Sequence, residues 1–462
     1  MRFSATFASA LIAAAFAFTA CSNGATNAAF APPADMPVAS ANGSSKAIQH
    51  VVILVQENRS FDNLFATFPG ADGATYGYTC KNGKQTKVSL KPQNLAGARD
   101  INHTYASFWI DYDGGKMDCF NKEGITKILA GTYPYQYVTT SQVKPYWDLA
   151  QQYGLADHMF QTQGSGSFTA HQDLIAGTTA GTWGSLTGSL IDYPSNWYSW
   201  GCDAKQGTTT PVTQWNGSYP IPINTAGPFP CLTYPTGTLR DLLDKKGVSW
   251  KYYAPTYTPQ TAGELWNAFA AIDAVRNGPE WKTNISTPQT NVISDAQNGQ
   301  LPAVSWVIPD QPHSDHPNGP GSPDEGPSWV ASVVNAIGGS SYWKSTAIVI
   351  VWDDWGGFYD HEPPPFLDKA GGLGFRVPMI VVSPYVAGGT ISHTQYEFGS
   401  ILKFVEGTFA LGSLGTTDQR ATSIGNMFNF NQKPRAFKPI QSQRSLRQIM
   451  HEPESMLPID SQ

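Results

Sequence analysis

The sequence predicts an α/β fold: a mainly parallel sheet with helices on both faces, carrying loop or small-strand insertions. Two observations predict this fold. Short apolar runs recur along the chain and alternate with segments of helical spacing, an order that is typical of parallel strands joined by crossover helices. The runs are apolar at nearly every position, as in strands that are buried on both faces of a sheet.

Five apolar runs give the predicted strands, which are residues 50–55, 248–253, 303–308, 347–352 and 377–383. Helical spacing occurs at 239–246 and 328–337, and a glycine follows each segment, as is common where a helix ends. Ligands of such sheets bind beyond the carboxyl ends of the strands. A functional site is therefore expected at that edge.

Two regions, about residues 70–140 and 181–236, do not follow this alternation. The second is dense in Trp, Tyr, Pro and Gly, which favour rigid loops with aromatic surfaces. We predict loop or small-strand insertions over the sheet edge in both regions. The chain shows no internal repeat and no linker after residue 46, so residues 47–462 are predicted to form a single domain.

The N-terminus predicts export. A basic residue and an apolar run that reaches about Ala20 are typical of a signal peptide over residues 1–20. Residues 21–46 are predicted to be flexible because they are rich in Ala, Pro, Ser and Asn without periodicity. The expected location is the periplasm, the medium or, through a lipid anchor, the bacterial envelope.

Cysteine usage agrees with export. Phe18-Thr19-Ala20-Cys21 resembles a bacterial lipoprotein box with Phe where Leu is usual, so acylation of Cys21 and ordinary cleavage nearby are both open. The remaining four cysteines predict two disulfides in an oxidising compartment. Of three possible pairings we favour Cys80–Cys119 and Cys202–Cys231, because each encloses a Gly/Pro-rich insertion.

Charge disfavours one class of partner. The chain has 29 basic and 35 acidic side chains and a formal net charge of -6, so it offers no broad cationic field to nucleic acid or anionic lipid. Nucleic acid is not an expected partner, and a membrane is expected only through a lipid on Cys21. An anionic substrate would need a local device, such as a metal ion or convergent donors.

Oxygen ligands follow two of the predicted strands. Glu57-Asn58 and Asp353-Asp354 each come after a buried apolar run, and neighbouring strand ends can gather them within a few ångströms. Hard oxygen ligands suit Mg²⁺, Ca²⁺ or Mn²⁺. The alternative is that these residues are ordinary strand-end caps. The aromatic, Gly-rich sequence after Asp354 favours a metal site, because buried carboxylates need a counter-charge.

A hydroxyl and several histidines complete the candidates. Ser167 lies in a Ser/Gly-rich stretch where a loop could meet a helix, although such stretches are more often flexible turns. His103, His313, His316 and His361 lie in polar loops. Histidines in such places can bind a phosphoryl oxygen or protonate a leaving group. Singly, each is more often a structural residue.

These residues resemble a known family. Gln56-Glu57-Asn58-Arg59-Ser60-Phe61-Asp62 is similar to a motif of the bacterial phosphoesterase family that includes phospholipases C and acid phosphatases of the acid phosphatase A type. The resemblance spans roughly residues 48 to 440. It continues, in the family's order, through Gly114-Gly115-Lys116-Met117-Asp118, Ser167-Phe168 ahead of His171-Gln172, Ser314-Asp315-His316-Pro317, and residues 352–361 and 392–398.

The resemblance implies an alkaline phosphatase-like fold and one divalent metal ion, which could be Ca²⁺, Mg²⁺, Mn²⁺ or Zn²⁺. It implies that the metal is held by Glu57, Asn58, Asp353 and Asp354. Ser167 would lie beside this metal as a further ligand and as the nucleophile.

The same resemblance assigns the phosphoryl group to His103 and His316, with Asn58 as a further substrate-binding residue. The sequence departs from the family at 167–170, where Ser-Phe-Thr-Ala replaces Ser-Phe-Pro-Ala. His171, His313 and His361 remain as supporting or structural candidates.

The expected activity is metal-assisted hydrolysis of phosphate esters, with a phosphate-ester small molecule or a phospholipid head group as the partner. An acid phosphatase-like monoesterase is favoured over a phospholipase C-like diesterase, because the chain stops soon after the catalytic region while some phospholipases C of the family carry further β domains. A sulfatase-like activity is disfavoured because no Cys or Ser lies in a C/S-x-P-x-R context. From another class, a non-catalytic surface protein could bind carbohydrate through the aromatic residues of 181–236.

Overall fold

An eight-stranded sheet organises the described part of the chain. The computed structural model describes residues 47–125, 128–183, 186–195, 200–215, 220–223, 227–256, 266–317, 322, 324–365 and 372–455. The predicted signal peptide, the segment 21–46 and Cys21 lie outside these residues, so they stay predictions. Within the described ranges, no helix has both the length and the apolar character needed to cross a bilayer.

The sheet confirms the predicted α/β class with mainly parallel strands. One strand, Met379–Val382, runs antiparallel to both of its neighbours, and the others are mutually parallel. Across the sheet the order is Ile285–Ser286, Trp250–Tyr253, Val304–Val307, His50–Gln56, Thr346–Trp352, Met379–Val382, Gly154–Ala156 and Thr390–Ser392. Every residue of Thr346–Trp352 is buried, as expected of a strand that is covered on both faces.

All five predicted runs form strands of this sheet. The reversal of Met379–Val382 has a simple cause: residues 353–378 leave the carboxyl edge and contain no crossover helix in their described part, so the chain re-enters from that same edge. Sequence patterns missed Gly154–Ala156, Ile285–Ser286 and Thr390–Ser392. These strands are two or three residues long, too short to show a period.

Two helices were predicted, and both form. Leu239–Lys246 has the predicted bounds and ends at Gly247, whose φ of 71° is left-handed. Glu325–Gly338 extends the second prediction at both ends. The other α-helices are Phe61–Phe65, Tyr105–Tyr112, Lys144–Gln152, Ser167–Ala176, Asp273–Arg276, Glu280–Thr283, Asn291–Gln297, Phe398–Phe409, Thr417–Arg420 and Leu446–Ile449. Short 3₁₀ turns lie at Asp113–Gly115, Phe120–Lys122, Gly201–Asp203, Ala268–Ala271, Gln311–His313, Ser341–Ser345 and Ile424–Met427.

The two insertions consist mainly of loops and small strand pairs, as predicted, and the first also contains the helix Tyr105–Tyr112. The pairs are Tyr76–Lys81 with Lys84–Ser89, Lys91–Gln93 with Gln136–Val138, Gly124–Ile125 with Ile128–Leu129, Ala180–Trp183 with Leu186–Ser189, and Val212–Trp215 with Pro220–Ile223. Disulfides join Cys80 to Cys119 and Cys202 to Cys231, which confirms the favoured pairing.

The centre of the sheet should carry much of the stability. Ile350 is fully buried and lies opposite Leu54 on one side and Ile380 on the other. We expect Ile350→Ala to lower the free energy of unfolding by about 2–5 kcal/mol, because it removes buried methyl groups and leaves a cavity. Urea unfolding measures the change.

Ile128→Ala is the matched control, because Ile128 is 62% exposed. It should change the free energy of unfolding by about 0.5 kcal/mol or less. Similar losses for both variants would contradict the assignment of Ile350 to the sheet core.

Candidate active site

Two central strands bring four predicted site residues to one edge of the sheet. His50–Gln56 and Thr346–Trp352 pair in parallel and end level with each other. Glu57-Asn58 and Asp353-Asp354 therefore leave the sheet side by side, and all four side chains are fully buried. The predicted juxtaposition of these residues is present.

Backbone conformation holds Asn58 against the acids. Asn58 has a left-handed φ of 56°, and its N–H donates to Asp353 Oδ1 at 3.0 Å. Gly356 packs against it with a φ of 59°. A Cβ at Gly356 would come within 2.2 Å of the Asn58 carbonyl oxygen. Glycine is thus required at 356 for both conformation and space.

Ser167 begins the helix Ser167–Ala176 and directs its hydroxyl at the acids. Its Oγ lies 3.1 Å from Asp354 Oδ2, which is placed to accept, and 3.2 Å from the near end of the Asn58 side-chain amide. The Ser167 N–H donates to the Tyr193 hydroxyl at 3.3 Å. A buried hydroxyl at a helix N-terminus lies where the helix dipole favours negative charge.

His171 lies one helical turn after Ser167 and contacts Glu57. Its Nε2 is 2.9 Å from Glu57 Oε1. Burial lowers the pKa of His171 to about 4, although Asp353 acts in the opposite direction, so the imidazole is neutral near pH 7. An ionised Glu57 only accepts, so Nε2 carries the hydrogen and donates it. His171 thereby orients the Glu57 carboxylate.

His103 and His316 reach Asn58 from two other loops. Their Nδ1 atoms lie 2.7 Å from the Ile101 carbonyl and 2.5 Å from the Pro317 carbonyl. Because a carbonyl only accepts, each Nδ1 carries a hydrogen. Both Nε2 atoms then lie 3.0 Å from one end of the Asn58 amide.

The Asn58 amide can face this cluster in two ways. Its other end lies 3.0 Å from Glu57 Oε2 and 3.2 Å from both Ser167 Oγ and Asp353 Oδ1. With the NH₂ group there, the amide donates to these oxygens, and the two histidines must carry a second proton to donate to its oxygen. With the oxygen there, the NH₂ group donates to neutral histidines, but four oxygens then face one another.

A cation resolves the second arrangement. Four converging oxygens repel one another unless a positive charge lies among them. Asp353 Oδ2 is also buried and has no hydrogen-bond partner among the described residues. Ligand oxygens of Glu57 and Asp353 lie within 4.8 Å of each other. The donor set, mainly carboxylate and amide oxygen, fits a hard divalent metal ion.

Two predicted histidines lie elsewhere. His361 contacts Asp62 and Asp72 in a separate cluster. His313 contacts Asp310 through Nδ1 and lies 2.9 Å from Glu452 Oε2 through Nε2.

His313 supports the site indirectly. It ends the 3₁₀ turn Gln311–His313, and the next residue, Ser314, accepts a hydrogen bond from the Glu57 N–H at 2.8 Å. The clamp of His313 between two carboxylates therefore holds the loop that leads to His316.

Sequence reasoning left three contributing residues without a specific role. Tyr193 and Glu452 belong to no motif near the site in the sequence, and only folding brings them to Ser167 and His313. His171 did carry a signal, because it lies four residues after Ser167 and so shares its helix face.

Comparisons with known proteins cover most of the chain. The sequence profile described as "Phosphoesterase family" matches residues 48–412. A non-hemolytic phospholipase C of Burkholderia pseudomallei is 27% identical over 86% of this chain and 61% of that protein. Phospholipase C A of Mycobacterium tuberculosis is 23% identical over 85% of this chain and 79% of that protein. The chain thus spans about three fifths of the length of the first of these relatives.

Among solved structures, a protein in the alkaline phosphatase superfamily from Vibrio parahaemolyticus has a TM-score of 0.37 and 10% identity, over 80% of this chain and 70% of that one.

The His313 clamp predicts a pH-dependent loss of stability in Glu452→Gln. Burial opposes a charge on His313, but Asp310 and Glu452 outweigh it and raise the pKa to about 10 from a usual value of 6.5. The stabilisation is therefore complete below about pH 6.5 and is lost as pH rises through 10. Glu452 also pairs with Arg444 at 2.6 Å, and the variant loses that contact at every pH. We therefore expect Glu452→Gln to lose about 1–2 kcal/mol more unfolding free energy at pH 7 than above pH 10.

Urea unfolding at pH 7 and pH 10.5 measures both values. Glu454→Gln is the control, because Glu454 is exposed two residues further along. An equal loss for Glu452→Gln at both pH values would show that the clamp does not depend on the charge of His313.

Proposed function

Because the chain belongs to the phosphoesterase family, we propose that it hydrolyses phosphate esters with Ser167 as the nucleophile. One observation carries the proposal: the Ser167 hydroxyl lies within hydrogen-bond distance of both Asn58 and Asp354, in the same buried cluster as Glu57 and Asp353. A serine that served only to cap its helix would have no reason to face this cluster.

A divalent metal ion is part of the proposal. Glu57, Asn58, Asp353 and Asp354 would hold it, with Ser167 Oγ beside it, and its identity among Ca²⁺, Mg²⁺, Mn²⁺ and Zn²⁺ stays open. When bound, such an ion lowers the pKa of an adjacent hydroxyl and neutralises charge on a phosphate oxygen. The positive charge of the ion would also explain how a chain of net charge -6 binds an anionic substrate.

The residues of the chain divide the reaction between them. Ser167 Oγ attacks phosphorus in line with the leaving alcohol, whose P–O bond breaks as the P–Oγ bond forms. Asp354 Oδ2, 3.1 Å away, is placed to take the hydroxyl proton. Water then attacks the phosphoserine and breaks the P–Oγ bond, and Ser167 Oγ regains the proton that Asp354 took. A monoester substrate yields inorganic phosphate, and a diester substrate yields a phosphomonoester.

His103, His316 and Asn58 would act on the phosphoryl group. The two imidazoles converge on the Asn58 amide from separate loops. When Nε2 is protonated, each can donate to a phosphoryl oxygen or to the departing alkoxide. Donors that are fixed before the substrate arrives need little reorganisation to stabilise the charge that develops.

Export is also part of the proposal. Two disulfides are expected in an oxidising compartment and are uncommon in the bacterial cytosol. They support a location in the periplasm, in the medium or, through Cys21, at the envelope. The partner would be a phosphate ester, either a small molecule or a lipid head group.

Replacing the nucleophile should abolish turnover without unfolding the protein. We expect Ser167→Ala to lower kcat by at least about 10³-fold, because it removes the atom that attacks phosphorus. Hydrolysis of p-nitrophenyl phosphate and bis-p-nitrophenyl phosphate measures the effect, and circular dichroism checks the fold.

Ser165→Ala is the matched control. Ser165 is two residues away, and its buried hydroxyl contacts Asp192 instead of the cluster of Glu57, Asp353 and Asp354. It should retain turnover to within about ten-fold. Full activity in Ser167→Ala would contradict the proposal, and a wild-type protein without turnover on any phosphate ester would favour the carbohydrate-binding alternative.

A phosphodiesterase is the second candidate, and one observation favours it: the relatives from Burkholderia pseudomallei and Mycobacterium tuberculosis carry the name phospholipase C. The monoesterase predicted from the sequence would cleave p-nitrophenyl phosphate faster than p-nitrophenylphosphorylcholine. The ratio of the two kcat/KM values decides, with Ser167→Ala as the blank for each. Cleavage of the choline diester alone would overturn the monoesterase prediction.

A further inference from the structure

Exposed large apolar side chains are concentrated in the first insertion, about residues 70–140. In the described part of the chain six such side chains are exposed, and the one outside this insertion is Phe229. The other five are Tyr76, Tyr78, Ile110, Ile128 and Leu129. Single exposed apolar residues are normal on a protein surface, whereas a group of them marks a surface that contacts a partner.

Basic charge is concentrated in the same insertion. From residue 73 to residue 99 the chain has five basic residues and no acidic residue, although its net charge is -6. Three of them lie on the strand pair Tyr76–Lys81 and Lys84–Ser89, which we call the lysine hairpin. Lys81 and Lys84 are exposed and lie directly opposite each other, an arrangement of like charges that lowers the stability of a hairpin. The hairpin therefore carries local positive charge on a chain that is negative overall.

Tyrosines and a lysine share the outer face of the lysine hairpin. Tyr78 lies opposite Lys87 in the register, and Lys87 Nζ lies 3.5 Å from the centre of the Tyr76 ring. On the inner face, a Cβ at Gly77 would come within 2.4 Å of Tyr359 Cζ, so this face packs closely against the rest of the protein. The outer face thus offers aromatic rings and ammonium groups together.

An exposed apolar pair lies on a second strand pair of the insertion. Gly124–Ile125 pairs with Ile128–Leu129, and we call this strand pair the apolar hairpin. Ile128 is 62% exposed and Leu129 is 72% exposed. Two consecutive aliphatic side chains in water are unfavourable, and transfer into hydrocarbon would remove this cost.

Covalent and hydrogen bonds hold the two hairpins together. The disulfide Cys80–Cys119 joins the lysine hairpin to the turn Phe120–Lys122. Within that turn, the Asn121 side chain makes hydrogen bonds of 2.9 and 3.1 Å with the backbone of Cys80. The Asn121 carbonyl accepts a hydrogen bond of 3.2 Å from Gly131, two residues beyond the apolar hairpin. The two hairpins therefore belong to one connected part of the insertion.

The apolar hairpin also contacts the loop of a proposed active-site residue. Leu129 lies opposite Gly124, whose carbonyl accepts a hydrogen bond of 2.9 Å from the Asn102 N–H. The next residue is His103, whose Nε2 lies 3.0 Å from the Asn58 amide. A partner bound by this hairpin would therefore lie next to a loop of the catalytic cluster.

We propose that the lysine hairpin and the apolar hairpin dock the protein on an anionic lipid bilayer. Lysines bind the anionic head groups, and tyrosine rings favour the boundary between water and hydrocarbon. Ile128 and Leu129 enter the acyl layer, as apolar side chains of interfacial segments do. A nucleic acid has no hydrocarbon layer that would take these two side chains, so lipid fits better.

This docking goes beyond the proposed hydrolysis and adds a second route to the membrane. The sequence predicted membrane contact only through a lipid on Cys21, because a net charge of -6 does not show the local excess of lysine. Lysines on an exposed strand also prevent pairing between sheet edges. That role alone does not account for the tyrosines and the aliphatic pair, since exposed apolar side chains promote the association that lysines prevent.

Vesicle flotation tests the proposal. The protein is recovered after export and carries Cys21→Ser, which prevents acylation, and Ser167→Ala, which keeps it from consuming lipid. It is mixed with phosphatidylcholine vesicles that contain either about 30% phosphatidylglycerol or none, in about 0.1 M salt. We expect binding to the anionic vesicles to be at least about ten-fold stronger than binding to the neutral vesicles. Binding does not require turnover, so the result stands whether or not Ser167 is the nucleophile.

Two double variants separate the contributions of charge and apolar contact. Lys81→Gln with Lys84→Gln should weaken binding to anionic vesicles by roughly 30-fold, which is what two lysines contribute near such a surface. Ile128→Ser with Leu129→Ser should weaken it by about ten-fold, because less apolar area leaves water. Circular dichroism checks each fold, and Leu129→Asn alone decides if the second double variant fails to fold.

Matched controls lie elsewhere on the surface. Lys245→Gln with Lys246→Gln removes the same charge from two exposed lysines of the helix Leu239–Lys246, and Phe229→Ser removes an exposed apolar side chain. Both should bind vesicles as the parent protein does. Absence of parent binding to anionic vesicles would overturn the proposal, as would equal losses for the two lysine pairs. A loss confined to Lys81→Gln with Lys84→Gln would also overturn it, because attraction without contact by Ile128 and Leu129 is not docking by both hairpins.

Discussion

The structure depends on one pairing, that of the parallel strands His50–Gln56 and Thr346–Trp352. Their ends are level, so the two residues that follow each strand are placed in one buried cluster at the carboxyl edge. A slip of one residue in this register would turn each side chain to the other face of the sheet. The apolar strands and the polar cluster are therefore specified together, because the burial that fixes the register also positions the acids.

Burial of this cluster would cost folding free energy if its negative charges were not compensated. Glu57, Asp353 and Asp354 are fully buried, and carboxylates in such surroundings must gain protons, donors or a cation. The Asn58 amide takes part in two of these forms of compensation, because either its NH₂ group or its oxygen can face the carboxylates. One orientation requires charged histidines and the other requires a metal ion. In the proposed site, the orientation of this one amide would therefore differ between the protein with metal and the protein without it.

Much of this could be read from the sequence, and the reasons are specific. The long strands are continuous apolar runs, and the acids follow them directly, so Glu57 and Asp353 were predictable from position. Ser167, His103 and His316 required the family resemblance, since the sequence around each of them shows no clear period. Tyr193 and Glu452 could not be predicted, because tertiary contacts over 26 and 139 residues bring them to their partners. The direction of Met379–Val382 likewise depends on a loop path that no local pattern encodes.

Ser167 and His171 share one turn of a single rigid helix, while His103 and His316 belong to loops. Because one helix holds both residues, any shift of the Ser167 hydroxyl also moves the His171 imidazole that contacts Glu57. In the proposed site, the helix would thus keep a constant spacing between Ser167 and His171, whereas sequence changes in the loops of His103 and His316 would alter contacts to the substrate.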